Sequence, residues 1–291
     1  MKIYYFNFIL VFICLSCNKN IEIPKVSKDI AFEYVKTIAE IAPRDSGTEN
    51  NLIAAKYIAE TAKKLGAKSE IDSWTAKTIE GEIKFNNVIA TIEGQSDEFI
   101  LIGSHFDTKK FSFIKNFSGA NDGASSSGLL LAMIKTLIDS KDKPSKTIKF
   151  IWFDGEECFM KYSNYDGLYG SKYYAKKINK EKCKAVIILD MIGDKDLNVT
   201  IPTNSTESLT NLVFNIAKKQ GVENYFKIGK NGIVDDHKPF YDLGIPSIDI
   251  IDFNYGPKNS YWHTDDDTID KISPKSLEII GNLTLEMIYY L

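Results

Sequence analysis

Residues 147–157 read TIKFIWFDGEE. A nearly continuous run of apolar and β-branched residues ends in three carboxylates, two of them adjacent. Such a run suits a short strand covered on both faces, where no polar side is needed. Neighbouring side chains on extended chain point to opposite sides, so Glu156 and Glu157 need not share one environment. Two acids at the end of a buried strand still repel each other. A divalent cation relieves that repulsion if Glu157 ligates it, and it leaves Glu156 free beside it to move protons.

Outward from this stretch, the same texture recurs in FNNVIATIEG (85–94), FILIGSHFD (99–107), KAVIILDMIGD (184–194) and IPSIDIIDF (245–253). Between these runs the period changes. SKDIAFEYVKTIAEIA, opening at the capping residue Ser27, places Ala31, Val35, Ile38 and Ile41 on one helical face. ENNLIAAKYIAETAKKLG repeats the pattern and stops at Gly66. Further helices are expected over 124–139, 170–179 and 206–220, and a last one opens at SPKS with Ser273 as cap and Pro274 in the first turn. Alternating strands and helices predict an α/β fold, a three-layer αβα sandwich around a largely parallel or mixed central sheet. In such sheets ligands bind beyond the carboxyl ends of the strands.

Composition limits the function classes. The 291 residues are 44% hydrophobic and 26% charged with a net charge of −3, enough for one large core and without the basic balance of a nucleic-acid binder. Arg44 is the only arginine, so bidentate capture of phosphate or carboxylate has little support. Residues 1–17, MKIYYFNFILVFICLSC, put one lysine ahead of an apolar stretch too short for a bilayer span, as in a secretory signal. The ending CLSC resembles a bacterial lipoprotein cleavage box with Cys17 as the lipid-modified residue, although Cys14 is unusual three positions upstream. Residues 18–26 read as a tether and 27–291 as a single domain. The chain is thus expected to be exported to the periplasmic side of a bacterial membrane and held there only by its lipid. Cys158 and Cys183 are either a disulfide or two buried thiols.

Polar residues at the ends of the apolar runs carry the chemistry. His105 and Asp107 come after the second, Asp154, Glu156 and Glu157 after the third, Asp190 and Asp194 after the fourth, and Asp252 and then YWHTDDD after the fifth. The chain has three histidines, His105, His237 and His263, each in a polar cluster near a predicted element boundary. A catalytic zinc commonly takes three ligands from His, Asp and Glu and leaves a fourth position open. Asp122, in GANDGASSSG, is either a helix N-cap or a ligand in a loop whose small neighbours permit close approach. Asp122, Glu157 and His263 would complete such a site.

GSHFDTK, GANDGASSSG, FDGEE, LDMIGD and YWHTDDDTIDKI together resemble, in order and spacing, the zinc-dependent aminopeptidase (peptidase M28-like) superfamily that includes the animal-type, or type II, glutaminyl cyclases. The resemblance covers roughly residues 27–291. Aminopeptidases of the superfamily use two zinc ions bridged by the counterpart of Asp122, with residues like His105 and Asp190 completing the second site. Glutaminyl cyclases are similar at these positions yet hold one zinc through the counterparts of Asp122, Glu157 and His263. Three stretches resemble the cyclases: the insertion FDGEECFMKYSNYDGLYGSKYYA with its segment Asp166 to Ser171, Asp235 where aminopeptidases usually have serine, and Trp262 immediately before the metal histidine. Tyr162 stands where the animal enzymes tend to have tryptophan. Asp249 stands where they carry histidine, and there resembles the bacterial members.

The activity implied by the resemblance is closure of an N-terminal glutamine to pyroglutamate with loss of ammonia, on peptides or proteins that begin with glutamine and with one zinc per chain. It implies Glu156 as proton shuttle, Asp190 and Asp235 as a proton-sharing pair beside it, and Trp262 and Tyr162 as walls for the substrate side chain. A di-zinc aminopeptidase and a non-catalytic peptide-binding lipoprotein are the alternatives. For the leader, labelled palmitate is expected to enter the wild-type protein and not the Cys17→Ala variant; label retained in that variant would rule out Cys17 as the acceptor.

Overall fold

A computed structural model describes residues 21–291. The leader 1–17, Cys17 and the first part of the 18–26 tether lie outside the described residues. The strands are β1 (Lys68–Thr78), β2 (Gly81–Ile92), β3 (Ser96–His105), β4 (Lys146–Phe153), β5 (Cys183–Asp190), β6 (Val199–Ile201), β7 (Phe226–Ile228) and β8 (Ser247–Ile251). They form one sheet in the order β1-β2-β4-β3-β5-β8-β6-β7. Its centre, β4-β3-β5-β8, is parallel throughout. β2 and β6 flank that centre antiparallel.

Both faces of the centre are covered, which is why its strands read as nearly continuous apolar runs, interrupted only by single residues such as Lys149 in β4 and Asp249 in β8. Ile100, Ile102, Phe150, Trp152, Ile187 and Leu189 pack toward one layer of helices, α1 (Lys28–Glu40), α2 (Glu49–Lys64), α3 (Ala124–Asp139), α5 (Glu207–Gln220) and α7 (Pro274–Tyr290). Their sequence neighbours Phe99, Leu101, Ile151, Phe153, Val186 and Ile188 pack toward the other, with Tyr174 and Ala175 of α4 (Tyr169–Ala175) and Phe240 of α6 (Lys238–Asp242). The expected αβα sandwich is therefore present, with the period of two dividing each strand between two cores. The capping residues act as expected: Ser27 accepts from the Ile30 amide, and Ser273 from those of Lys275 and Ser276.

Some elements differ from the sequence expectation. The helix expected over 170–179 is only α4, which ends at Ala175 with Lys176 as its cap; beyond it Asn179 turns the chain, its carbonyl and side chain accepting from the Lys182 amide. β1 has no counterpart among the expected strands; as an edge strand it needs only partial burial and has no apolar run to announce it. Cys158 and Cys183 are both free and buried.

Two features position the site and the chain entry. Arg44 is fully buried and donates to main-chain carbonyls: Nε to Phe106 (2.8 Å), Nη1 to Ile38 (3.2 Å) and Ser118 (2.8 Å), Nη2 to Gly119 (3.1 Å). It thus pins the segment that leads to Asp122. At the other pole, the Val26 amide donates to Asn282 Oδ1 of α7 (2.9 Å) and the Glu22 amide to Asp142 Oδ2 (3.2 Å), in the connection that precedes β4. Replacing Arg44 with Met removes the donor of the Phe106 and Ser118 carbonyls, while those of Ile38 and Gly119 keep the Ile41 and Ala124 amides, and the expected loss is about 2 kcal/mol or more, read as a lower urea midpoint at unchanged slope. A loss under about 1 kcal/mol would show the pin to be dispensable.

Candidate metal centre and active site

The carboxyl ends of β3, β4 and β5 bring His105, the Glu156–Glu157 pair and Asp190 to one edge of the sheet. Asp122 arrives from the loop before α3. It is not the helix cap: Gly123 occupies that position, with φ 93° and no side-chain capping bond. A Cβ there would stand 2.9 Å from the Asp107 carbonyl oxygen and 3.1 Å from the His105 ring, so the close approach requires glycine. His263 comes from the long loop after β8 and sits in the left-handed region, φ 57°, uncommon for a β-carbon residue. Trp262 stacks on its ring with centroids 4.0 Å apart, and Phe111 meets it edge-on at 5.6 Å.

These positions converge. His263 Nε2 lies 2.9 Å from Glu157 Oε1 and 3.2 Å from Asp122 Oδ2. His105 Nε2 lies 3.2 Å from Asp122 Oδ1 and 3.1 Å from Asp190 Oδ1. Asp122 thus faces both imidazoles, one through each oxygen, and two sets of donors share it: Asp122, Glu157 and His263, and His105, Asp122 and Asp190, the atoms within each set all within 4.8 Å of one another. The donors suit a divalent cation such as zinc, and Asp122 Oδ2 is a buried carboxylate oxygen that receives no hydrogen bond. Burial alone would lower the pKa of His263, but Glu157 and Asp122 outweigh it and raise it to about 10. A cation entering this set replaces that proton.

Glu156 belongs to neither donor set yet lines the same cavity, of about 320 Å3, with Asp122, Glu157, Tyr162, Asp190, Asp235, Trp262 and His263. Burial first, then the Glu157 charge, push the Glu156 carboxyl well above the usual range, so it holds a proton readily. Asp235 is likewise pushed up, by burial and then by Asp190 and Asp236, in keeping with a proton held beside Asp190. The Tyr162 hydroxyl donates to Glu156 Oε2 at 2.9 Å and stands 3.3 Å from Glu157 Oε2. Lys109 Nζ is 3.5 Å from that same Glu157 oxygen. Asp122, Glu156, Glu157, Tyr162, Asp190, Asp235, Trp262 and His263 thus line one cavity, with His105 beside Asp122 and Asp190. The third histidine, His237, lies elsewhere: it is fully buried at the start of α6, outside both donor sets.

A supporting tier is not assigned by the sequence. Asp107 accepts the amides of Glu156 and Glu157, both at 3.2 Å. Asp267 accepts those of Asn121 (2.7 Å) and Asp122 (3.1 Å) and the Tyr255 hydroxyl (2.9 Å). Asp154, first of the three acids in TIKFIWFDGEE, is structural: it accepts from Ser46 Oγ (2.7 Å), Asn51 Nδ2 (2.9 Å) and the Asn86 amide (2.7 Å), tying β4 to α2 and β2. Asp107, Asp154 and Asp267 all stand inside motifs already singled out, but nothing in their spacing distinguishes an acid that grips backbone amides from one that grips a cation.

Comparison with known proteins agrees with this geometry. Residues 87–288 match the profile of Peptidase family M28. The chain is 29% identical over 275 residues to a glutaminyl-peptide cyclotransferase of Drosophila melanogaster, which covers 84% of this chain and 76% of that protein. The crystal structure of an Acidobacteriales bacterium glutaminyl cyclase superposes with a TM-score of 0.86 at 35% identity, over 92% of this chain and 96% of that one. A Zn-dependent exopeptidase from Parabacteroides distasonis shares the fold at a TM-score of 0.84 and 26% identity, over 93% and 100% of the two chains. With its five motifs in order, its ligands converging and most of its length matched, the chain belongs to peptidase family M28, alongside the glutaminyl cyclases.

Proposed function

We propose that this protein is a zinc-dependent glutaminyl-peptide cyclotransferase that converts the N-terminal glutamine of peptides and proteins to pyroglutamate and releases ammonia. The observation that carries the reading is the position of Glu156: a buried carboxyl in the same cavity as Asp122, Glu157 and His263 but outside both donor sets, free to handle protons. Likeness to the glutaminyl cyclases over most of the chain supports it. Asp122, Glu157 and His263 would hold one zinc, whose chemistry when bound is to polarise the γ-carbonyl of the substrate as a Lewis acid.

The reaction needs no outside nucleophile, since the α-amine attacks the side-chain amide carbon of its own residue. A C–N bond forms as the bond to the amide nitrogen breaks. The protein therefore has to hold the reactive rotamer and move one proton. Glu156 takes a proton from the attacking amine and delivers it to the departing nitrogen, which leaves as ammonia. Asp190 and Asp235, which both line the cavity, would share a proton, limiting the negative charge that faces the substrate amine. Trp262 and the ring of Tyr162 wall the slot for the glutaminyl side chain. Export to the periplasmic side of a bacterial membrane, with Cys17 lipidated, would place the activity among proteins whose new amino terminus is glutamine.

One observation favours a second reading. His105, Asp122 and Asp190 form a complete second donor set, as a di-zinc aminopeptidase requires. The two readings separate on simple measurements. A Gln-led peptide is expected to release ammonia in a chelator-sensitive way while an amino-acid nitroanilide stays intact, with one equivalent of zinc per chain; nitroanilide cleavage with two equivalents would assign the aminopeptidase instead. Glu156→Gln is expected to lower turnover by about a hundredfold or more with zinc retained, and unchanged turnover would remove Glu156 from the mechanism.

A further inference from the structure

As a wall of the substrate slot, Tyr162 uses only its ring. Its hydroxyl makes the one side-chain hydrogen bond that the Glu156 carboxylate receives among the described residues, at 2.9 Å to Oε2. A phenol has a single proton to donate, and Glu156 Oε2 is its nearer acceptor; Glu157 Oε2 is 3.3 Å away. A glutamate has several rotatable bonds, and one left untethered at a cavity wall spreads over rotamers, few of which face the reacting amine.

The segment that delivers Tyr162 is built for that delivery. Asp166 folds back and accepts three consecutive amides, Phe159 on Oδ1 (2.8 Å) and Met160 (2.8 Å) and Lys161 (3.0 Å) on Oδ2. The Ser163 amide donates to the Asp166 carbonyl at 2.9 Å, and Lys172 Nζ closes the outside of the loop through the carbonyls of Ser163 (2.9 Å) and Gly167 (2.8 Å). Gly167 has φ 83°, and a Cβ on it would stand 2.6 Å from the Tyr162 ring. At the tip of this loop Met160 and Tyr165 are 82% and 85% exposed, so the polar clasp on Asp166 supplies the hold there, while Phe159 meets Tyr169 edge-on at its base.

We propose that Tyr162 and Asp166 are positioning residues for Glu156, the hydroxyl holding one carboxylate oxygen so that the other faces the substrate, and the Asp166 clasp holding the hydroxyl. This rests on the cyclase reading.

The test compares wild type with Tyr162→Phe, Asp166→Asn and the double variant on a Gln-led peptide, with zinc content and melting temperature measured for each. Tyr162→Phe keeps the ring and its packing. It is expected to lower kcat roughly tenfold or more with KM within about twofold, and with zinc content and melting temperature unchanged. Asp166→Asn is expected to lower kcat similarly, and the double variant no further than the worse single one, since both act through the same contact. Tyr162→Phe decides by itself if Asp166→Asn does not fold. Wild-type turnover with kcat of Tyr162→Phe within about twofold, or losses that multiply in the double variant, overturns the inference alone. Absence of ammonia release by wild type overturns the cyclase reading and this inference with it.

Discussion

The constraint that organises this molecule is the repulsion among carboxylates gathered at the carboxyl end of a parallel sheet. Asp107, Asp122, Asp154, Glu156, Glu157, Asp190, Asp235 and Asp267 are all buried there. So many acids persist in one place only if each has an answer to its charge. The structure gives three kinds of answer. Asp107, Asp154 and Asp267 accept main-chain amides and neutral side chains, although burial still pushes Asp154 and Asp267 up to about 7. Asp122, Glu157 and Asp190 face imidazoles. Glu156 and Asp235 receive less, the Tyr162 hydroxyl and the Asp236 amide respectively, and are pushed toward the neutral acid, by burial first and by neighbouring charge next. The division of labour at the site reflects which answer each position can reach.

The fold was legible because the central strands announce themselves. A strand buried on both faces is largely apolar at consecutive positions, and β3, β4, β5 and β8 are nearly so; the amphipathic helices between them have the complementary period. The edge elements were not. β1 alternates without an apolar run, and β6 and β7 are three residues each, held by pairing partners that no local pattern names. Of the donors, His105, Glu157 and Asp190 stand at or just past strand ends, a position with topological meaning, whereas Asp122 and His263 lie in loops and were reached through the order of motifs.

What escaped was the tier behind the ligands. Asp267 grips the Asn121 amide across 146 positions of sequence, and such a contact leaves no periodicity. Composition presents Arg44 only as a missing phosphate fork, yet it is a cation spent entirely on main-chain carbonyls. Arginine suits that role because its planar head fans several donors from one point. Composition treats such residues as surface, and only three-dimensional placement shows them inside. The same holds for the Tyr162 hydroxyl: the sequence offers an aromatic wall, whereas the oxygen beyond the ring reaches a carboxylate.

The Glu22 and Val26 amides dock on Asp142 and Asn282, so the first described residues leave the body near the start of β4, whereas the donor sets stand past its end. The entering segment of the described chain and the donor sets thus occupy opposite ends of the central sheet. The contacts that seat the entering segment are therefore separate from those that build the site, so loosening one need not disturb the other.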